Sequence, residues 1–382
     1  MMVTRMYSTS NARSRSFQGL VALFSVSALL AGCGDTGGGS GGSDSDEKFT
    51  LKLHEYQAPN HPFYTAGVTP FKEYVEEESE GRITVELYDS STLGTAEEQF
   101  TIARAGTADI VDTAFDYVPD QLPIAGAANT YSATSGKAVE NAEAIWNLCH
   151  QEPFLTEIKE QGVLPIGCTA IPAYEVFSSK EMSDIPEDLA GLRVRGAGGL
   201  QDDFLRALGM EAISMPSPEL YQALERGTID GASFLWYALP PHSIHEQVSY
   251  GTDGIGVIPT GGVVYGINTE VWESMPADLQ EIVYDAGQQM SYDIGVALDE
   301  ATVAAREEIG DAVQVIEVAD EDREEAAEMT ASVLENWVSR MEDLGKGEQA
   351  RQALDAVETL EGSGLDGTAT VDEWEDFELT GD

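Results

Sequence analysis

Lysine is almost absent from this chain: Lys48, Lys52, Lys72, Lys137, Lys159, Lys180 and Lys346 are all it carries, and most of its basic residues are arginine. Against 20 Lys+Arg stand 68 Asp+Glu, a formal charge of -48. A polyanion of this strength repels a phosphate backbone, so nucleic acid is excluded as a partner. Cysteine is scarce too, with 3 residues, no CxxC pair and no metal-ligand spacing, which excludes a disulfide scaffold and a zinc module. No apolar run reaches the roughly 20 residues of an ordinary membrane-spanning helix. A GxSxG elbow, a phosphate-binding P-loop and the Rossmann glycine set are all missing, which removes the motif-bearing hydrolases and nucleotide folds.

What remains is a chain of 382 residues, 42% hydrophobic, enough for ordinary cores in two domains. Its self-repulsion weakens a compact fold in dilute buffer, whereas the screening length falls to about 3 Å in 1 M salt. The composition therefore predicts a halophilic protein, with a generically acidic secreted protein as the alternative.

The amino terminus holds Arg5, Arg13 and Arg15 without an acid, then the apolar run LVALFSVSALLA from Leu20 to Ala31. That pattern reads as an export signal over 1–32, by the Sec or the Tat route. Leu30-Ala31-Gly32-Cys33 resembles a lipobox, in which Cys33 becomes the lipid-bearing first residue. The stretch GDTGGGSGGSDSDE that follows Cys33 is a Gly/Ser/Asp tether over 33–47. The mature chain is thus expected outside the cytoplasmic membrane, held at its outer face by lipid. Cys149 and Cys168 could pair in an oxidising compartment or stay as buried thiols.

From Phe49 onward strand and helix signals alternate, which predicts an α/β fold. Phe49, Leu51 and Leu53 share one face at the strand period, as do Ile83, Val85 and Leu87, with a helical PFKEYVEEESEG between them. One corner recurs. IARAGTADI (Ile102–Ile110) and ALERGTIDG (Ala223–Gly231) each run from a helix end through Gly-Thr-x-Asp into a new strand, so two lobes built alike are expected. The first corner leads to Phe115 and Tyr117, and the second to Ser233, Phe234, Trp236 and Tyr237. In open α/β sheets ligands sit beyond the carboxyl ends of strands, so these residues are candidates to wall a pocket. A long helical region from Val271 to Gly310 has the length to cross between lobes. Met329, Val333, Trp337 and Met341 form a core stripe on a later helix, and the acidic end is expected to be loose.

Arg193 and Arg195 fall two apart in GLRVRGAG, ahead of a glycine turn and a helix start. A guanidinium matches a carboxylate bidentately, and a helix start also favours anions. Arg193 is open between an ion pair with the protein's own acids and a ligand contact, whereas Arg195 reads as the anchor of a ligand carboxylate. Gln57, Asn60 and His61, just past the first strand, are further ligand-contact candidates. His242 and His245 have a possible metal spacing but no third ligand nearby. They leave a rival reading, a secreted metal-dependent hydrolase; otherwise no metal, cofactor or catalytic residue is expected.

DLAGLRVRGAGGLQDDFLRALGMEAISMPSPELYQALERGTIDGA resembles the most diagnostic stretch of the DctP-like solute-binding proteins of TRAP (tripartite ATP-independent periplasmic) transporters. EGRITVELYDSSTLGTAEEQFTIARAGTADIVDTA and VWESMPADLQEIVYDAG resemble their first-lobe and hinge-helix segments. The resemblance implies a two-lobed, type II-like periplasmic-binding-protein fold that delivers an organic acid to TRAP membrane permease subunits; a receptor of the same shape could serve an ABC importer. It divides the chain into a first lobe (48–172 with 262–300), a second lobe (173–261 with 301–361) and an acidic tail (362–382). The family's carboxylate-pairing arginine falls on Arg195. Two departures matter. Tyr174 and Glu175 stand near where some members place a second arginine, and Ser233-Phe234-Leu235 replaces a common Glu-Asn-Pro. The resemblance thereby implies a monocarboxylate or keto acid in an aromatic-walled pocket, with Tyr174 added to the wall, rather than sialic acid or an ordinary dicarboxylate.

Overall fold

The computed structural model describes residues 47–131, 137–363, 365 and 367–379. Cys33, the expected signal and all but the last residue of the expected tether lie outside the described residues. Among those described, eleven strands form two sheets. They are β1 (Phe49–His54), β2 (Ile83–Tyr88), β3 (Ile110–Ala114), β4 (Val163–Ile171), β5 (Glu175–Ser178), β6 (Arg193–Gly196), β7 (Glu211–Ser214), β8 (Gly231–Phe234), β9 (Tyr250–Asp253), β10 (Gly261–Asn268) and β11 (Gln314–Glu317). The first sheet runs β2-β1-β3-β10-β4 and the second β11-β9-β5-β8-β6-β7. β1, β2 and β3 are parallel, and β10 lies antiparallel between β3 and β4.

The two corners expected to be alike are alike down to one side chain. In each, a left-handed glycine, Gly106 or Gly227, ends a helix. The aspartate that follows then accepts a backbone N–H from the neighbouring strand: Asp109 from Lys52 at 2.8 Å, and Asp230 from Arg193 at 3.0 Å. A carboxylate bound to a strand amide fixes where the next strand begins. β3 and β8 therefore end in equivalent places and hand on to short helical turns, Phe115–Tyr117 and Trp236–Ala238.

The chain passes between the lobes at 172–174, at 254–260 and along a helix, Ala277–Ile309, of 33 residues and about 50 Å. This helix lies hard against β4 because residue 287 is glycine: a Cβ there would stand 1.7 Å from the Ile166 carbonyl oxygen. At its far end Arg306 grips Asp253 of the second sheet with two bonds, 2.6 and 2.7 Å. The long helical region is not continuous, since Pro276 separates it from a short helix, Thr269–Ser274. Cys149 and Cys168 form a disulfide that ties the helix Ala138–Cys149 to β4.

Three expectations are corrected. The helix Gly347–Glu361, assigned to the second lobe, packs on the first, its Ala350, Ala353 and Val357 in one core with Phe100, Trp146 and Leu148. Met329 is 38% exposed, because the helix carrying it ends at Thr330 and the stripe Val333, Trp337, Met341 belongs to the next. The described part of the acidic tail is pinned: Trp374 is buried beside Trp146, and Phe377 stacks on His150 at 4.9 Å. Two aromatic rings outweigh the repulsion of the acids around them.

Candidate functional site

Arg195 sits on β6, one strand in from the β7 edge of the second sheet, and turns its guanidinium toward the first lobe. It is 1% exposed. Its Nε donates to the Met215 carbonyl at 2.8 Å, its Nη1 to the Ser233 carbonyl at 3.2 Å and its Nη2 to the Tyr117 hydroxyl at 3.1 Å. All three acceptors are neutral. Among the described residues no carboxylate lies within 4 Å of it, although Arg193, two positions earlier, is fully committed to Asp230 through Nε at 3.1 Å and Nη2 at 2.8 Å. A guanidinium has five N–H donors; these bonds use three, and with the Tyr174 phenol also against it at least one N–H remains for an anion.

The cavity at this guanidinium is walled by Tyr56, Gln57, His61, Tyr117, Tyr174, Phe234, Tyr237 and His242, with Phe63, Ser217 and a few aliphatic side chains between them. Arg195 also lies 5.9 Å from the ring centre of Tyr117 and 5.7 Å from that of Phe234. The cavity is only about 30 Å³, room for a water or two and far below the ~300 Å³ of an ordinary ligand pocket. Contacts across the lobes keep it shut. Besides the Arg195–Tyr117 bond, Ser217 N donates to the Tyr117 hydroxyl at 3.1 Å and Gln57 Nε2 to Ser217 Oγ at 3.2 Å. Tyr117 thus accepts twice, which leaves its own O–H free to donate inward. Gln57 Oε1 is buried without a partner; turned about its last bond, the amide would offer an NH2 group instead.

The charge pattern is simple: the cavity wall holds one cation, no carboxylate, and two imidazoles. Burial, and then the neighbouring His242, push the His61 ring well below its ordinary pKa. Burial, and then the charge of Arg195, lower His242 to about 4. Both rings are neutral at pH 7. Burial likewise raises the Tyr174 phenol, which stays protonated as a hydrogen-bond donor.

The structure thus brings Arg195, Tyr117, Tyr174, Phe234, Gln57 and His61 to one cavity. Other expectations fail on position. Phe115 points away from it and packs on Gly262, where a Cβ would be 2.6 Å from its ring. Trp236 faces the hinge, with the Arg306 guanidinium 4.6 Å over its ring. Ser233 contributes its carbonyl rather than its hydroxyl, and Asn60 is exposed on the outer surface. Glu175 is committed to Thr252 and the amides of Gly254 and Ile255. His242 and His245 do not converge, since His245 turns to the Leu239 carbonyl at 3.3 Å. Among the described residues no three His, Cys, Asp or Glu side chains could hold a metal ion together, and no helix is long and apolar enough to cross a membrane.

Sequence reading missed Tyr56, His242 and Ser217 as wall residues, whereas Tyr237, named among the aromatics after the second corner, does line the cavity. Tyr56 had a signal, since it follows a strand that ends at the cleft. His242 had none: the turns after Pro240-Pro241 fold it back onto Phe234, their rings 5.7 Å apart.

Two α/β lobes, crossed by a long helix and closed over a cavity between their sheets, define the periplasmic-binding class of fold. The model of the DctP bacterial extracellular solute-binding proteins, family 7, matches residues 53–340, and the chain belongs to that family of solute receptors. Its fold is similar to a TRAP solute-binding protein from Rhodoferax ferrireducens in complex with copurified benzoate, with a TM-score of 0.74, 24% identity and coverage of 82% of this chain and 97% of that one. It is also similar to a TRAP periplasmic solute-binding protein from Bordetella bronchiseptica with bound mandelate, with a TM-score of 0.73, 21% identity and coverage of 82% and 98%. A solute-binding protein of Chromohalobacter salexigens is 24% identical over 267 residues, 69% of this chain and 77% of the relative. The chain spans only 52% of the length of an uncharacterized protein, y4mM, of Sinorhizobium fredii, which is 26% identical over 326 residues and 75% of this chain.

Proposed function

We propose that this chain is an extracytoplasmic receptor that binds a small organic acid in the cleft between its lobes, with Arg195 as the carboxylate anchor, and delivers it to a TRAP-type permease. One observation carries the reading: in a chain with 68 acidic residues, a guanidinium is 1% exposed and has no carboxylate partner among the described residues. Burying a charge without a counter-ion is costly, and a bound carboxylate would repay that cost. The free Tyr117 O–H and the amide of Gln57 would supply the remaining donors.

Binding of this kind needs a hinge. The lobes would part at 172–174, 254–260 and the long helix to admit the acid, then close over it toward the shut state, in which Tyr117 and Gln57 meet Arg195 and Ser217. Because the shut cavity is about 30 Å³, an acid larger than a few atoms would hold the lobes further apart than they stand here. Benzoate and mandelate in the two similar receptors support an organic acid as the ligand class.

Two further parts of the proposal concern the habitat. Cys33 would carry the lipid that anchors the receptor to the outer face of the membrane, and the acidic surface would adapt it to brine. Intact-mass analysis of membrane-extracted protein should find a lipid-modified Cys33 as the first residue; an unmodified amino terminus upstream of it would refute the anchor.

Native mass spectrometry of receptor purified without refolding tests the ligand class. The expected adduct has the mass of a small organic acid. A neutral sugar or an organic cation at full occupancy would overturn the reading.

A further inference from the structure

Building on the carboxylate anchor at Arg195, we infer that His61 and His242 form a second recognition point, which selects an aromatic monocarboxylate carrying a hydroxyl group on its ring. The two imidazoles line the same cavity with ring centres 5.8 Å apart. Phe63 N donates to His61 Nδ1 at 3.3 Å. The hydrogen of the neutral ring must then sit on Nε2, which makes that atom a donor. Nε2 of His242 is buried without a hydrogen-bond partner among the described residues.

The charges around this point settle what it can receive. Arg195 is the one formal cation in the wall, so it neutralises one carboxylate. A second carboxylate would have to face neutral imidazoles and phenol rings, and an ammonium group would find no acid. The ligand is therefore a monoanion. Its body would meet Phe234, Tyr237 and Phe63, flat apolar surfaces that match an aromatic ring. A plain ring would leave the His242 nitrogen buried and unpaired, which weakens its binding. A hydroxyl both donates and accepts, so it could serve His61 and His242 at once.

The test is calorimetry of benzoate, 3-hydroxybenzoate and 4-hydroxybenzoate against the full chain in high salt. One of the two hydroxybenzoates should bind at least about tenfold tighter than benzoate. In His242→Phe that ratio should fall to within about twofold while benzoate binding persists. His61→Phe provides the second arm should His242→Phe fail to fold. Equal affinity for all three acids, a ratio unchanged in the folded histidine variants, or no binding of any of the three would overturn the inference. None of these results touches the carboxylate anchor, which is tested separately: it falls if Arg195→Ala still holds the acid that copurifies with the wild-type chain.

Discussion

Gly198→Ala separates the cost of folding from the cost of closure. Gly198 lies between β6 and the helix Gly199–Ala207, at φ 114 and ψ -168, a region that is essentially reserved for glycine. Alanine there carries a strain of about 1–3 kcal/mol, paid equally whether the lobes are open or shut. The second cost is different. A Cβ at 198 would stand 2.4 Å from the carbonyl oxygen of Asp116 in the first lobe, a contact between the lobes that parting them would relieve. If the cleft closes onto Gly198 around the acid as it does when shut, overpacking of this degree costs about 1–3 kcal/mol, or about fivefold to more than a hundredfold in affinity. Gly191→Ala is the control: φ is 76 there and nothing lies within 4 Å of an added Cβ, so it should lower the melting temperature and leave affinity alone. Calorimetry of both variants with the copurified acid, alongside thermal melts, reads the two costs separately. Equal affinity in Gly198→Ala, Gly191→Ala and wild type would refute closure onto Gly198.

Arg193→Ala should leave acid affinity within about twofold of wild type, since its partner is the protein's own Asp230. It should also raise the pKa of Asp230, now held well below the carboxylate range first of all by Arg193. Stability from that carboxylate is present above its unfolded pKa and is lost as pH falls, so acid unfolding of the variant should begin at higher pH. A tenfold loss of affinity would instead place Arg193 in the site. Buried Glu55, bonded to Tyr265 at 3.0 Å and beside Asp112, is raised to about 7 by burial. Folding therefore takes up a proton between the unfolded value of 4.5 and about 7, and the stabilisation that brings is lost as pH rises through 7. Denaturant titrations of Glu55→Gln from pH 5 to 8 should show a flatter dependence than wild type; parallel curves would contradict it. Finally, with a formal charge of -48, the melting temperature should climb steeply from 0.1 to 1 M salt as the screening length shrinks from about 10 to about 3 Å. A flat response would remove the argument for brine.

Much of the fold was legible because it is written locally. Leu51 and Leu53 alternate as a half-buried strand does, and the Gly-Thr-x-Asp corners repeat in both lobes. Arg195 stood out because it adjoins the glycine turn and helix start, while the pairing of Arg193 with Asp230 was left open by the sequence. Strand alternation tells which residues share a face but not how the turn after a strand redirects them. Phe115 and Trp236 therefore failed as wall residues, while Tyr117 and Phe234 reached the cavity. His242 arrives by long-range packing that no local period encodes. The tail looked loose because its acids dominate the composition, and its two anchoring rings, Trp374 and Phe377, find their partners more than two hundred residues earlier at Trp146 and His150.

Titration calorimetry of wild type and Arg195→Ala with the acid that copurifies, both in high salt, bears most directly on the anchor. Removing one partner of a buried charge pair costs about 3–5 kcal/mol, so the variant should bind roughly two to four orders of magnitude more weakly. A folded Arg195→Ala that binds the acid as tightly as wild type would contradict it.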